Sequence, residues 1–124
     1  MKKIYINVPM KGRKYEDVVK SFNKMKSVAE VLLGEKVEVV NPDILEKGPQ
    51  GKAERIWALG ESIKKLATVD YVIRTTGRRL WDYSGVMTVE EIADSYSIPM
   101  IDAQFDYICP DLAIPDVPNP YKRD

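Results

Sequence analysis

Between residues 15 and 33 the apolar side chains fall at positions 15, 18, 19, 22, 25, 29, 32 and 33, which is the 3.6-residue stripe of an amphipathic helix. Gly34 follows it as the expected C-cap. Ahead of this helix, Ile4-Tyr5-Ile6-Asn7-Val8 is β-branched and aromatic and stops at Pro9, which has no N–H to give to a sheet, so it reads as a first strand. Val37, Val39 and Val40 form a short second strand ended by Asn41-Pro42, and a Gly/Pro/Lys-rich loop runs to about Ala53. Ile56, Leu59, Ile63 and Leu66 share one face of a second helix. Asp70-Tyr71-Val72-Ile73-Arg74 is the third strand, and a polar loop from Thr75 to Tyr83 follows it. The third helix carries Val89, Ile92, Ala93 and Tyr96 on one side and leads through Pro99 into a short strand at Met100-Ile101.

Strands alternating with helices predict a parallel sheet covered by helices, because parallel neighbours need crossover connections. The fold class is α/β in a single domain over residues 1–102. Ligands of such sheets bind beyond the carboxyl ends of the strands, which draws attention to loops 7–13, 41–53, 74–88 and 102–110. Residues 103–124 hold Pro110, Pro115, Pro118 and Pro120 among acidic residues and read as a C-terminal arm. Its Phe105, Tyr107, Ile108, Leu112 and Ile114 are apolar enough to pack on the domain or on a neighbouring subunit.

Composition narrows the chemistry. The 124 residues are 44% hydrophobic and 31% charged, enough for a core under a salt-rich surface. No run of about 20 apolar residues is present and the amino-terminal apolar segment is too short for a signal peptide, so a cytoplasmic protein with no membrane partner is expected. Histidine is absent and Cys109 is the single cysteine, which excludes an internal disulfide, Ser/His/Asp or Cys/His triads and the usual zinc sites. Carboxylate, tyrosine or lysine chemistry remains. The net charge is zero, but residues 1–33 carry eight Lys/Arg against three Asp/Glu. A solvated basic helix accounts for that asymmetry, and a nucleic-acid polymer is not expected as partner.

Two segments carry candidate chemistry. Lys11-Gly12-Arg13, between the first strand and its helix, places cations and backbone N–H groups where a phosphate could sit, unless Gly12 simply makes the turn. Arg78 and Arg79 add cations on the loop after the third strand. The richer stretch runs from Trp81 and Asp82 through Ser84 and Gly85 to Glu90 and Glu91. Thr88 and Glu91 have the spacing of a capping box, which makes Glu91 structural and leaves Glu90, about 100° away around the axis, free for another role.

Taken in order, Pro9-Met10-x-Gly12 after the first strand, Leu59-Gly60-Glu61-Ser62-Ile63, Val69-Asp70-Tyr71-Val72-Ile73, Trp81-Asp82, Glu91-Ile92-Ala93 and Ile98-Pro99 resemble the nucleoside 2-deoxyribosyltransferase-like family, especially its short phage and bacterial members. The resemblance implies a Rossmann-like domain assembled into homo-oligomers. It also implies a glutamate nucleophile on the helix after the third strand and an assisting aspartate, for which Asp70 is the match. A carboxylate suits that chemistry by stabilising an oxocarbenium-like transition state and forming a glycosyl ester. Counting forward from Trp81 puts Glu90 on the nucleophile; counting back from Ile98-Pro99 puts Val89 there and Glu91 on a supporting glutamate.

Two functions follow. One is cleavage or exchange of the N-glycosidic bond of a nucleoside or its 5′-monophosphate, with Glu90 as nucleophile, Asp70 as acid and no cofactor. Tyr5, Asn7 and Trp81 would line the pocket, and Ser84 and Gly85 with Arg13 or Arg78 would hold a phosphate; core packing is the alternative for Tyr5 and Trp81. The other is a nucleotide-binding or sequestering protein that keeps the cleft without catalysis.

Overall fold

The computed structural model describes residues 1–41, 52–77 and 83–112. It contains strands β1 (Lys2–Ile6), β2 (Val37–Val39), β3 (Tyr71–Thr76) and β4 (Met100–Gln104). Helices α1 (Tyr15–Leu33), α2 (Lys52–Leu66), α3 (Ser84–Ser95) and α4 (Phe105–Ile108) join or follow them, and a 3-10 turn spans Pro110–Leu112. The strands form one sheet in the order β2-β1-β3-β4, and every pairing is parallel. This is the α/β class that the alternation of elements predicts, with the Rossmann-like arrangement that the resemblance implies.

Strand order dictates the layers. The β1-to-β2 crossover moves one way along the sheet, whereas β2-to-β3 and β3-to-β4 move the other way, and right-handed crossovers then put α1 on one face and α2 and α3 on the opposite one. The core divides accordingly. Ile4, Ile6, Ile73 and Ile101 pack with Val18, Met25 and Ala29 of α1 and Phe105 and Ile108 of α4. Tyr5 and Val72, the alternate residues of the same strands, pack with Leu66 of α2 and Val89 and Ala93 of α3. Gly34 ends α1 in the left-handed conformation, φ 68°, and its N–H donates to Glu30 O at 2.9 Å, because that conformation costs glycine no Cβ clash.

Four expectations change. The helix α3 begins at Ser84, so Thr88 and Glu91 lie inside it and form no capping box at its start. The boundary at residue 102 falls inside β4, and Phe105, Ile108 and Cys109 are core residues, so the chain to Leu112 belongs to the domain; residues 113–124 lie outside the described part. Ile56 and Ile63 are exposed although they share a face with the buried Leu66. The third strand continues through Thr75 and Thr76, whose side chains are buried and half-buried, rather than ending at Arg74.

Candidate ligand-binding site

β1 leaves the sheet at Val8 and the buried Pro9, and the chain turns at Gly12, φ 74°, before entering α1. Beside this exit, on the α2/α3 face, lies a cavity of about 480 Å³. Tyr5 of β1 and Asn7, just past its end, form its floor, with Met10 and Lys11 at one rim. Trp57, Ser62 and Lys65 approach from α2, and Gly85, Val86 and Val89 from α3. The volume falls within the roughly 300–1,000 Å³ range of small-molecule sites.

Its polar groups are held in fixed directions. The Tyr5 hydroxyl donates to Ser62 Oγ at 2.8 Å, and Ser62 in turn donates to Ala58 O at 3.1 Å. Burial raises the Tyr5 pKa, with the Ser62 contact opposing, so the phenol keeps its proton at neutral pH. Asn7 Nδ2 donates to Val86 O at 3.0 Å and thereby ties β1 to α3. Asn41 accepts from Ile6 N–H at 2.9 Å and donates to Ile6 O at 2.8 Å. Tyr83 reaches across the mouth to donate to Lys11 O at 2.9 Å. The Lys11 and Lys65 ammonium groups have no ion-pair partner among the described residues, while Glu61 is paired with Lys64 at 3.2 Å.

None of the three expected catalytic carboxylates lines this cavity. Asp70 lies at the amino end of β3, where its Oδ2 accepts from Lys3 N–H and its own N–H donates to Lys3 O, both at 2.8 Å; it pins two strands at the far end of the sheet. Glu91 is exposed. Glu90 is half-buried within electrostatic reach of Arg74, whose Nε donates to Asp102 Oδ1 at 2.8 Å. Burial raises the Glu90 pKa, Arg74 lowers it and Asp102 raises it. The α3 side chains that line the cavity are Val86, Thr88 and Val89, none of them a carboxylate, and Val89, 2% exposed, is the residue that counting back from Ile98-Pro99 sets on the nucleophile position.

The expected phosphate ligand Arg13 is otherwise engaged. Its guanidinium is fully buried and donates to Asp111 through Nε at 2.9 Å and Nη2 at 2.7 Å, to Pro9 O at 2.8 Å, to Ser21 Oγ at 2.7 Å and to Asp17 O at 3.2 Å. It clamps the loop after β1 to α1 and to the 3-10 turn. Trp81, Asp82, Arg78 and Arg79 lie outside the described residues. Ser84 is the first residue of α3, while Tyr5, Asn7, Met10 and Gly85 line the cavity. Pro9 and Gly12 shape the turn beside it.

Sequence reasoning missed Trp57, Ser62 and Lys65. The signal was present in α2, where Ala58, Glu61, Ser62 and Lys65 fall at i, i+3, i+4 and i+7 and make a second, mostly polar stripe beside the apolar one. Asn41 was taken as a strand terminator and is also a cavity residue. In comparisons with protein families, with curated proteins and with solved structures, no match to this chain is found.

Proposed function

We propose that this chain binds a nucleoside 5′-monophosphate in the cavity beside β1 and does not cleave it. The observation that carries this reading is that α3 brings no carboxylate to the cavity: where a glycosyl-transferring site needs one close to the sugar, the lining side chains of α3 are Val86, Thr88 and Val89, with Val89 where one of the two counts sets the nucleophile. An aliphatic group neither attacks an anomeric carbon nor stabilises an oxocarbenium ion. Glu90, one residue on, is directed toward Arg74 and Asp102.

Binding is supported by the remaining lining. Trp57 offers aromatic surface to a base, and Lys11 offers a cation to a phosphate at the carboxyl side of a parallel sheet. The order of motifs that resembles the nucleoside 2-deoxyribosyltransferase-like family points to the same ligand class. Calorimetry and chromatography of the mixtures test the reading together. Saturable binding of a ribo- or deoxyribonucleoside monophosphate with no free base after prolonged incubation is expected, and Glu90→Gln should leave the Kd unchanged. Release of free base that disappears in Glu90→Gln overturns it and makes Glu90 the nucleophile.

A further inference from the structure

The hydrogen-bond directions at the cavity floor carry information about the base, and this step rests on the nucleotide reading above. Tyr5 and Asn7 are alternate residues of one strand segment, so their side chains leave the same face about 6.6 Å apart along the chain. The Ser62 hydroxyl gives its proton to Ala58 O, so at its contact with Tyr5 it is the acceptor and the phenol the donor. Tyr5 therefore keeps lone pairs on Oη and no proton for a ligand. Asn7 turns its Nδ2 to Val86 O, which leaves Oδ1 on the other side of the amide.

No described residue donates to Asn7 Oδ1. Among the described residues, Thr75 Oγ1 is the sole fully enclosed side-chain oxygen or nitrogen without a partner, so Asn7 Oδ1 reaches open space although the residue is 4% exposed. Asn41, the remaining amide, has its oxygen and its nitrogen both engaged by Ile6. The floor thus presents two acceptor oxygens whose donors are turned into the protein.

We propose that Tyr5 Oη and Asn7 Oδ1 select nucleotides whose base carries an exocyclic amino group. Such a group brings two N–H donors, and its nitrogen lone pair is delocalised into the ring, so it satisfies acceptors without opposing them. A C–H at the same place leaves the oxygen it faces desolvated and unpaired, which is the costly half of hydrogen-bond discrimination.

Matched ligands that differ by the amino group alone provide the test: AMP against purine riboside 5′-monophosphate, GMP against IMP, and CMP against pyrimidin-2-one riboside 5′-monophosphate. Calorimetry on the full chain should show the amino member of at least one pair binding about tenfold tighter than its match. Tyr5→Phe keeps the ring and the Ser62-to-Ala58 contact but removes Oη, and should reduce that ratio severalfold while the amine-free ligand binds nearly as before. Equal affinities within every pair that binds overturn the selection and leave the nucleotide reading standing. Binding of none of the six overturns both. The wild-type comparison decides the matter even where Tyr5→Phe fails to fold.

Discussion

Arg13 shows how a residue's surroundings decide its role. In the sequence it is a cation between a strand and a helix, a position equally suited to meeting a phosphate or closing a turn. In the fold its guanidinium is 0% exposed and forms a bidentate pair with Asp111 while also donating to two backbone carbonyls and Ser21. Few other side chains could fill this place, because lysine has no planar fork to meet a carboxylate at two points. Arg13→Ala leaves Asp111 and three oxygens without their donor and should lower stability by about 3 kcal/mol in urea titrations. The pair also sets a pH dependence. The hydrogen bond from Arg13 holds the Asp111 carboxyl below its usual range, so its contribution is complete above about pH 4, the unfolded value, and is lost as the pH falls through the folded one. Wild-type stability should therefore decline more steeply below pH 4 than that of Asp111→Asn, and parallel profiles from pH 7 to 2.5 would sink the assignment.

At the scale of elements, β2 shows why a three-residue strand suffices. It pairs with β1 from Lys2↔Val37 to Ile4↔Val39, and Val40 N–H donates to Ile4 O at 2.9 Å. Asn41 then continues the ladder with its side chain, satisfying Ile6 N–H and C=O in place of a backbone partner. Asn41→Ala leaves both groups unpaired beside the cavity and should cost about 2 kcal/mol. A midpoint in urea indistinguishable from wild type would show that water replaces the amide. Asn41 also marks what was legible. The pattern located α1 to the residue and found the four strands in their succession along the chain, with ends off by a few residues, since periodicity and Pro or Gly boundaries are local properties. It misplaced the start of α3 because Thr88 and Glu91 satisfy the capping spacing while Ser84 and Gly85 look like loop. Propensity there yields to the packing of Val86 and Val89 against the sheet. That Val89 and not Glu90 lines the cavity was not legible in the sequence, because a one-residue step turns a helical side chain by about 100° and the counts from Trp81 and from Ile98-Pro99 differ by that one residue.

For the molecule as a whole, sheet order places β1 at the point where successive crossovers reverse direction, and the cavity lies beside that strand's carboxyl end. No helix among the described residues is long and apolar enough to cross a membrane. With a net charge of zero, ligand attraction has to come from the local field rather than from the protein's overall charge. Lys11 supplies that field at the carboxyl side of the sheet, and Glu61, the one carboxylate among the described lining residues, is paired with Lys64. A monophosphate bound to the folded state alone shifts the unfolding equilibrium by mass action. At a hundredfold excess over Kd this amounts to about 2.7 kcal/mol, and a domain of this size then melts about 10 °C higher. The shift should shrink as salt rises from about 0.05 to 0.5 M, since the rim lysine is exposed and the Debye length falls severalfold over that range. The matching nucleoside, lacking the phosphate, should give a smaller shift that salt hardly changes, and Lys11→Ala should bring the monophosphate down toward it. Equal melting shifts for nucleoside and monophosphate at low salt would reduce Lys11 to solvated surface and restrict the cavity to uncharged ligands.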